Sequence, residues 1–277
     1  MMPMRTDRGS RTINQFSRQF RRYEEIANGN FRTSLVESGK YQDEVFVQRI
    51  LGMSIQGKRV MEVGAGMGRW SVHLLQAKPS LLVIVEPSDA MKHIEQLLPK
   101  DKGITTVFRQ EPIEHVQDVE VDVVISIGVI HHILDQEAAL QAIHRSLAPG
   151  GKCALWVYRR PESYVVFSLM RAFRLLCRPC PDWLLAFVAK VISLALVNYG
   201  SSPASIFGRF PFHRYCAHDF QKLDPKDREL TIYDQLRPRV ANYFSEDSLH
   251  KLLESIGFTS IDVEPFDEVA LVARCVA

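Results

Sequence analysis

The sequence predicts an α/β fold: an open, doubly wound, mostly parallel sheet of seven strands, with a helical insertion before the last two. Three observations carry that expectation. From residue 59 to residue 158 short β-branched runs alternate with stretches of helical period, and strands joined through helices make right-handed crossovers within a parallel sheet. The first of these runs opens directly into Gly64-Ala-Gly66-Met-Gly68. The chain then closes with a capped helix and two strand-like runs that suit an antiparallel hairpin.

Taken in order, residues 1–52 read as a helical segment. Phe16, Phe20 and Tyr23 fall at helical spacing, and a second helix is expected from Gln42 to Leu51, stopped by Gly52. Arg59–Val63 is the first strand and Arg69–Gln76 its helix. Leu81–Val85 is the second strand, with a helix over 88–98. Ile104–Phe108 and Val121–Ile127 are the third and fourth strands. A helix over 135–147 is followed by a turn at Pro149-Gly150-Gly151 and a fifth strand, Lys152–Tyr158. These elements make a core over 53–159. Residues 160–240 break the rhythm with seven prolines and two apolar helical stretches, Val165–Leu176 and Leu184–Val197. Inserted after a strand, this segment is expected to form a lid. Residues 241–277 return to regularity: Ser245 as N-cap, a helix to Ile256, Gly257 as its stop, then strands Thr259–Val263 and Val269–Val276.

Composition narrows the function. With 277 residues, 46% hydrophobic and 24% charged, the chain can bury a large core. A net charge of +2 offers no field for nucleic acid. Five scattered cysteines do not form a secreted disulfide framework, so reduced thiols in a cytoplasm are the simpler expectation. The start is Arg-rich, with Asp7 its one acid before Glu24; a transit segment, a basic arm and a solvated helix all fit that pattern. The longest apolar run, Trp183–Val197, carries Lys190 at its middle and is shorter than a membrane span requires. It is expected instead to lie on a membrane surface or to cover an apolar pocket. Cys177-x-x-Cys180 with His213, Cys216 and His218 approaches zinc-ligand spacing, but Cys177 ends an apolar helix, where cysteine behaves as a small hydrophobe. No metal is expected.

The glycine turn carries the chemistry. A buried strand ending in Gly-x-Gly-x-Gly lets bare main chain approach a ligand, and the following helix adds free N–H groups. A dinucleotide site has its third glycine three residues after the second, where this chain has Arg69. An acid at Glu62 is also ill-suited to a pyrophosphate. The second strand ends at Glu86-Pro87, where a carboxylate can accept both hydroxyls of a ribose.

In these blocks the sequence resembles the class I S-adenosylmethionine-dependent methyltransferases: Glu62-Val-Gly-Ala-Gly-Met-Gly68, then Glu86, then Val121 through His131-His132, then Leu147-Ala-Pro-Gly-Gly151. The likeness spans about residues 55–160 and points to the small-molecule branch. It implies the seven-stranded Rossmann-like methyltransferase fold and S-adenosyl-L-methionine as cofactor. Gly64, Ala65, Gly66 and Gly68 would pass the methionine part, with Glu62 orienting the loop and the amino group. Glu86 would hold the ribose and Pro87 would pack on adenine. Glu111 and Pro112 would lie at the adenine edge, with Glu114 an equal candidate for the exocyclic amine, and Ile127 beneath the sulfonium.

Methyl transfer is a displacement on an activated methyl group, so the protein chiefly positions the reactants and, for some acceptors, takes a proton. His131 and His132, where the fourth strand leaves the sheet, are the candidate bases, with a slight preference for His131; packing is the alternative role. The expected acceptor is small or lipid-like, of quinone type, methylated on oxygen, with the lid touching a membrane surface. A sugar or other polar intermediate, or adenosyl binding without turnover, are the competing readings. No Asn/Asp-Pro-Pro-aromatic block for a flipped base follows the fourth strand, so no nucleic-acid substrate is expected.

Overall fold

A computed structural model describes residues 12–18, 20, 42–98, 103–208 and 212–277. The Arg-rich start through Arg11, and Tyr23 of the expected first helix, lie outside the described residues; 12–18 are helical, as is residue 20.

The elements follow the order α1 (Gln42–Leu51), β1 (Arg59–Val63), α2 (Arg69–Gln76), β2 (Leu81–Val85), α3 (Met91–Leu97), β3 (Thr105–Arg109), β4 (Val121–Ile127), α4 (Gln136–Arg145) and β5 (Leu147–Tyr158). The insertion contributes α5 (Tyr164–Cys177), α6 (Asp182–Gly200), α7 (Ala204–Phe207), α8 (His213–His218) and α9 (Pro225–Leu236). The chain ends with α10 (Glu246–Ile256), β6 (Thr259–Pro265) and β7 (Ala270–Val276).

One seven-stranded sheet runs in the order β3-β2-β1-β4-β5-β7-β6. The pairs from β3 through β5 are parallel, with Glu62 opposite Ile84 on one side and Ile125 on the other. β7 runs against β5: Gly150 N–H donates to Ala277 O, and Ala277 N–H to Gly151 O. The sheet order reverses between β1 and β4, so the carboxyl ends of these two strands frame the crevice where such sheets bind ligands.

Side-chain alternation divides the strands between two layers. Met61, Val63, Val124, Leu155, Val157 and Leu271 pack with Leu140 and Ile143 of α4 and Leu249 and Leu253 of α10. Val60, Leu82, Ile84 and Ile125 point the other way and are also buried, as are Ile50, Leu74 and Ile94 of α1 to α3. α10 is fixed at its start by a capping box of Ser245 and Ser248 and at its end by Gly257 at φ 111.

Three of the boundaries that differ from the sequence expectation shape the sheet and the site. Leu147 pairs with Val121 and Lys152 with Val123, so the Pro-Gly-Gly segment is a bulge inside a longer β5 rather than a turn before it. Proline cannot donate to the ladder and Gly150 takes φ 74, which ejects the extra residues. The α3 helix begins at Met91 rather than Ser88, because Ser88 N–H and Ala90 N–H are used in the loop, on Glu86 Oε1 and Ser88 Oγ. β3 extends to Arg109, whose carbonyl accepts from Glu86 N–H.

The described chain divides into two compact units: one of residues 1–158, 240–264 and 271–277, the other of 159–239 and 265–270. In the second unit α6 packs on α8 and α9. Asp182 at its start accepts from the Tyr233 hydroxyl (3.0 Å) and pairs with Arg237 (2.9 Å). Arg174 and Arg178 donate to the carbonyls of Pro238 and Arg239. The helix of α6 is longer than the apolar run read from sequence: its 19 residues are long and apolar enough, by length and composition, to cross a membrane. Its Leu185, Ala189, Ser193 and Gly200 are nevertheless buried, and a Cβ on Gly200 would come within 2.6 Å of Cys216 main chain.

Candidate active site

The berth begins where β1 stops. Gly64 N–H donates to Val85 O at 2.7 Å, and Ala65 N–H to the same carbonyl at 3.3 Å, which folds the loop toward β2. Gly64, Gly66 and Gly68 all take positive φ (75, 57 and 81). At Gly64 the requirement is steric as well, since a Cβ there would lie 2.4 Å from Val129 Cγ2. Gly128, just past the end of β4, also has positive φ, and among the described residues nothing lies within 4 Å of where its Cβ would be.

Two carboxylates flank this loop, both nearly inaccessible. Glu62 Oε2 accepts from the Ser71 hydroxyl of α2 at 2.5 Å, whereas its Oε1 is buried with no hydrogen-bond partner among the described residues. Burial, and less strongly the Glu86 charge, pushes the Glu62 carboxyl up to about 7 despite the Ser71 bond. Glu86 Oε2 accepts from Gly66 N–H (2.8 Å) and Oε1 from Ser88 N–H (2.9 Å). Burial raises its pKa, opposed by the Ser88 hydroxyl and by the Ser88 and Gly66 N–H groups. Glu86 therefore binds the glycine loop to the β2–α3 loop.

Pro87 follows Glu86 and is half-buried. Gln110 Nε2 donates to Ser88 O, holding the segment after β3 beside the same loop. Pro112 precedes the single turn Ile113–His115, while Glu111 is half-exposed, 3.9 Å from Arg109. Ile127 is the last residue of β4, and Ser126 Oγ donates to Val63 O, locking β4 to β1 just below the glycine turn. The sequence-predicted cofactor residues thus gather at the ends of β1, β2, β3 and β4.

His131 and His132 occupy the short turn Ile130–His132, and their surroundings separate them. His131 is wholly buried, its ring stacked on Tyr158 at 3.6 Å, with Nδ1 accepting from Tyr158 N–H at 3.4 Å. Its proton therefore sits on Nε2. His132 Nδ1 lies 2.7 Å from Val240 O. A carbonyl only accepts, so Nδ1 is the donor and Nε2 carries the lone pair. Around them Phe16 meets His132 edge-on (5.4 Å), Trp156 meets Tyr158 (5.9 Å), and Tyr243 stacks on Tyr158 (5.7 Å).

Several participants were not singled out from sequence. Ser71 and Ser88 anchor the two carboxylates, and Val240 and Asn242, the latter donating its N–H to His131 O, anchor the histidine turn. Phe20 lies 3.4 Å from where a Gly66 Cβ would be, and Ser17 Oγ accepts from Asp89 N–H, so the N-terminal helix borders the glycine loop. Its aromatic spacing points to a helix but not to what that helix packs against. Tyr233 and Arg237 of α9 are committed to Asp182 within the second unit. Among the described residues no three His, Cys, Asp or Glu side chains gather as a metal site.

Strand order 3-2-1-4-5-7-6, a reversed seventh strand and a glycine turn on the first define the Rossmann-like methyltransferase class of fold. The methyltransferase-domain family matches residues 39–263, and the chain belongs to that family of S-adenosylmethionine-dependent enzymes. Among curated proteins it is similar to ubiquinone biosynthesis O-methyltransferases. The one from Bordetella avium is 29% identical over 46% of this chain and 53% of its own length. The one from Psychrobacter arcticus is 27% identical over 58% and 65%. The chain spans between about half and two thirds of the relatives it matches. Among solved structures it shares its fold with a possible histamine N-methyltransferase from Thermotoga maritima (TM-score 0.54, 16% identity, 96% of this chain and 99% of that one). It also shares it with magnesium protoporphyrin IX methyltransferase from Synechocystis PCC 6803 with bound SAH (TM-score 0.55, 15% identity, 96% and 98%).

Proposed function

We propose that the protein transfers a methyl group from S-adenosylmethionine to a phenolic oxygen of a small, apolar, quinone-type acceptor. The observation that carries this reading is the His132 hydrogen bond to Val240 O, which presents a basic nitrogen amid aromatic rings at the end of β4. The residues of the berth fit the cofactor. Bare main chain at Gly64, Ala65, Gly66 and Gly68 leaves room for its methionine part, and buried Glu62 Oε1 offers an acceptor to an ammonium group. Glu86 is a carboxylate that can accept from the hydroxyls of a ribose, Pro87 and Pro112 supply flat apolar surface for adenine, and Glu111 can accept its amine. When bound, the cofactor supplies a methyl group on a cationic sulfur.

The chain's own part is positioning and proton removal. Ile127 and Gly128 bound the space over β4. A phenol titrates near 10 and is a poor nucleophile when protonated, whereas histidine titrates near 6.5 and takes a proton at neutral pH. His132 Nε2 serves as that base, with Val240 O holding the tautomer and stabilising the imidazolium after transfer. His131, buried and accepting from main chain, keeps the turn in place. The quinone-type acceptor draws support from the names of the curated relatives and from the aromatic rings of Phe16, Trp156, Tyr158 and Tyr243.

The test is cofactor-dependent methylation of a catechol or hydroquinone with an apolar tail, against a sugar of similar size, followed by formation of S-adenosylhomocysteine. His132→Gln should lower kcat about 100-fold or more, at the lower end of what general bases contribute, while leaving cofactor affinity unchanged. Preferential methylation of the sugar would reject the acceptor, and an unimpaired His132→Gln would reject the base.

A further inference from the structure

The inserted unit carries an apolar surface that its own folding does not use. On α5, Val165, Leu169, Phe173 and Leu176 are exposed; on α6, so are Trp183, Phe187, Val191 and Leu194. Both sets follow the spacing i, i+4, i+8, i+11, which places each set within one narrow stripe along its helix. Trp183 and Phe187 remain 67% and 62% accessible, far beyond the scattered single apolar residues of ordinary surfaces. The opposite face of α6 is occupied: Leu185, Ala189 and Ser193 are buried, Asp182 is tied to α9, and Val197 O accepts from Gln221.

We infer that the α5 and α6 stripes are a docking surface for an anionic lipid bilayer, against which the inserted unit lies without crossing it. Charge supports that occupant. Residues 159–239 hold thirteen Lys and Arg against seven Asp and Glu; with Asp267 and Glu268 of the same unit the net is +4, where the whole chain carries +2. Lys190 lies within the α6 stripe itself, where its long stem lets the ammonium reach headgroups while the neighbouring apolar side chains enter the acyl boundary. A spanning α6 would have to bury that charge and strip its packed face from α8 and α9, whereas lying flat requires neither. The inference takes its purpose from the apolar acceptor proposed above, since such acceptors dissolve in membranes, but its test does not depend on that reading.

The experiment is co-sedimentation of the full chain with phosphatidylcholine vesicles and with vesicles containing about a third phosphatidylglycerol, the anionic lipid giving the attraction. S-adenosylhomocysteine affinity is measured on the same samples. Expected are binding to the anionic vesicles that falls with salt, and a Trp183 emission that shifts to the blue, absent in Trp183→Phe. Trp183→Ser with Phe187→Ser should lower the vesicle partition at least tenfold and leave cofactor affinity unchanged; Lys190→Glu should lower it on anionic vesicles alone. Equal binding to both vesicle types, or binding indifferent to the double substitution, overturns the inference. So does a concentration-dependent dimer abolished by the same substitutions, which would assign the stripes to a second copy. Loss of cofactor binding in the unaltered protein would instead count against the proposed transfer reaction.

Discussion

Glu62 gives the sharpest test of how the berth works. Its carboxyl is buried beside Glu86, has one bond from Ser71, and titrates near 7 instead of 4.5. The sign follows from linkage. A carboxyl whose folded pKa is raised holds its proton longer in the native state, so its contribution to stability is full below about pH 4.5 and is lost as pH rises through 7. Over that window the ligand-free protein gives up about 3 kcal/mol, at roughly 1.36 kcal/mol per pH unit of displaced pKa. A cationic ammonium placed on Oε1 reverses the effect, because it favours the ionised form. Binding must then expel the proton wherever Glu62 is protonated, and affinity for S-adenosylhomocysteine should tighten roughly 20-fold between about pH 5.5 and 7.5. Above about pH 8 the ligand's own amine begins to lose its charge, so affinity should level and fall. Isothermal calorimetry in buffers of different ionisation enthalpy reads both the affinity and a release of close to one proton at about pH 6. Glu62→Gln should flatten the acid limb, abolish the proton release, and raise the ligand-free melting temperature at pH 7.5. A wild-type affinity independent of pH below 7, or an acid limb that survives in Glu62→Gln, would refute the reasoning.

Other perturbations test other parts of the site. Gly64→Ala forces a positive φ on a side chain and drives it into Val129 at 2.4 Å; strain and overpacking together should cost roughly 2–5 kcal/mol, read by chemical denaturation. Glu86→Ala frees Gly66 and Ser88 N–H and removes the proposed acceptor for the ribose hydroxyls, whose two charge-assisted bonds at roughly 1.5–3 kcal/mol each predict a fall in cofactor affinity of about 100-fold or more, checked by calorimetry. His131→Ala opens a cavity under Tyr158 and should show its main effect as a loss of about 2 kcal/mol of stability, with kcat reduced far less than in His132→Gln. Phe20→Ala, next to Gly66, should speed cofactor dissociation in stopped-flow measurements while leaving the melting temperature of the ligand-free protein nearly unchanged.

The sheet was legible because its signals are local. A parallel strand buried on both faces reads as a run such as Leu81–Val85, and a glycine series after Val63 admits few conformations. The carboxylates at Glu62 and Glu86 were legible for the same reason: their place at a strand end follows from the strand. What escaped the sequence depends on distant pairing. Nothing in His131-His132 announces that Val240, 108 residues away, will fix the tautomer of the second ring, or that Tyr158 N–H will occupy the first. The slight preference for His131 could draw on neither pairing, and it is the two main-chain hydrogen bonds that support the proposed assignment of His132 as the base. The Pro-Gly-Gly segment likewise looked like a turn, and becomes a bulge because the far end of the chain, Ala277, pairs with it.

The two carboxylates also explain why the berth is costly to keep ready. Two acids buried at neighbouring strand ends repel one another, and one of them retains an oxygen with no partner among the described residues. A domain selected only for stability would hold glutamine at 62, which satisfies Ser71 equally and carries no charge to desolvate. Glu86 differs: its two main-chain donors fasten the glycine loop to the next strand, so it contributes to the fold whether or not the proposed ribose is bound. Ligand-free instability should therefore concentrate at Glu62 and its surroundings, and a cation there should stabilise the whole first unit more than its contact area would suggest.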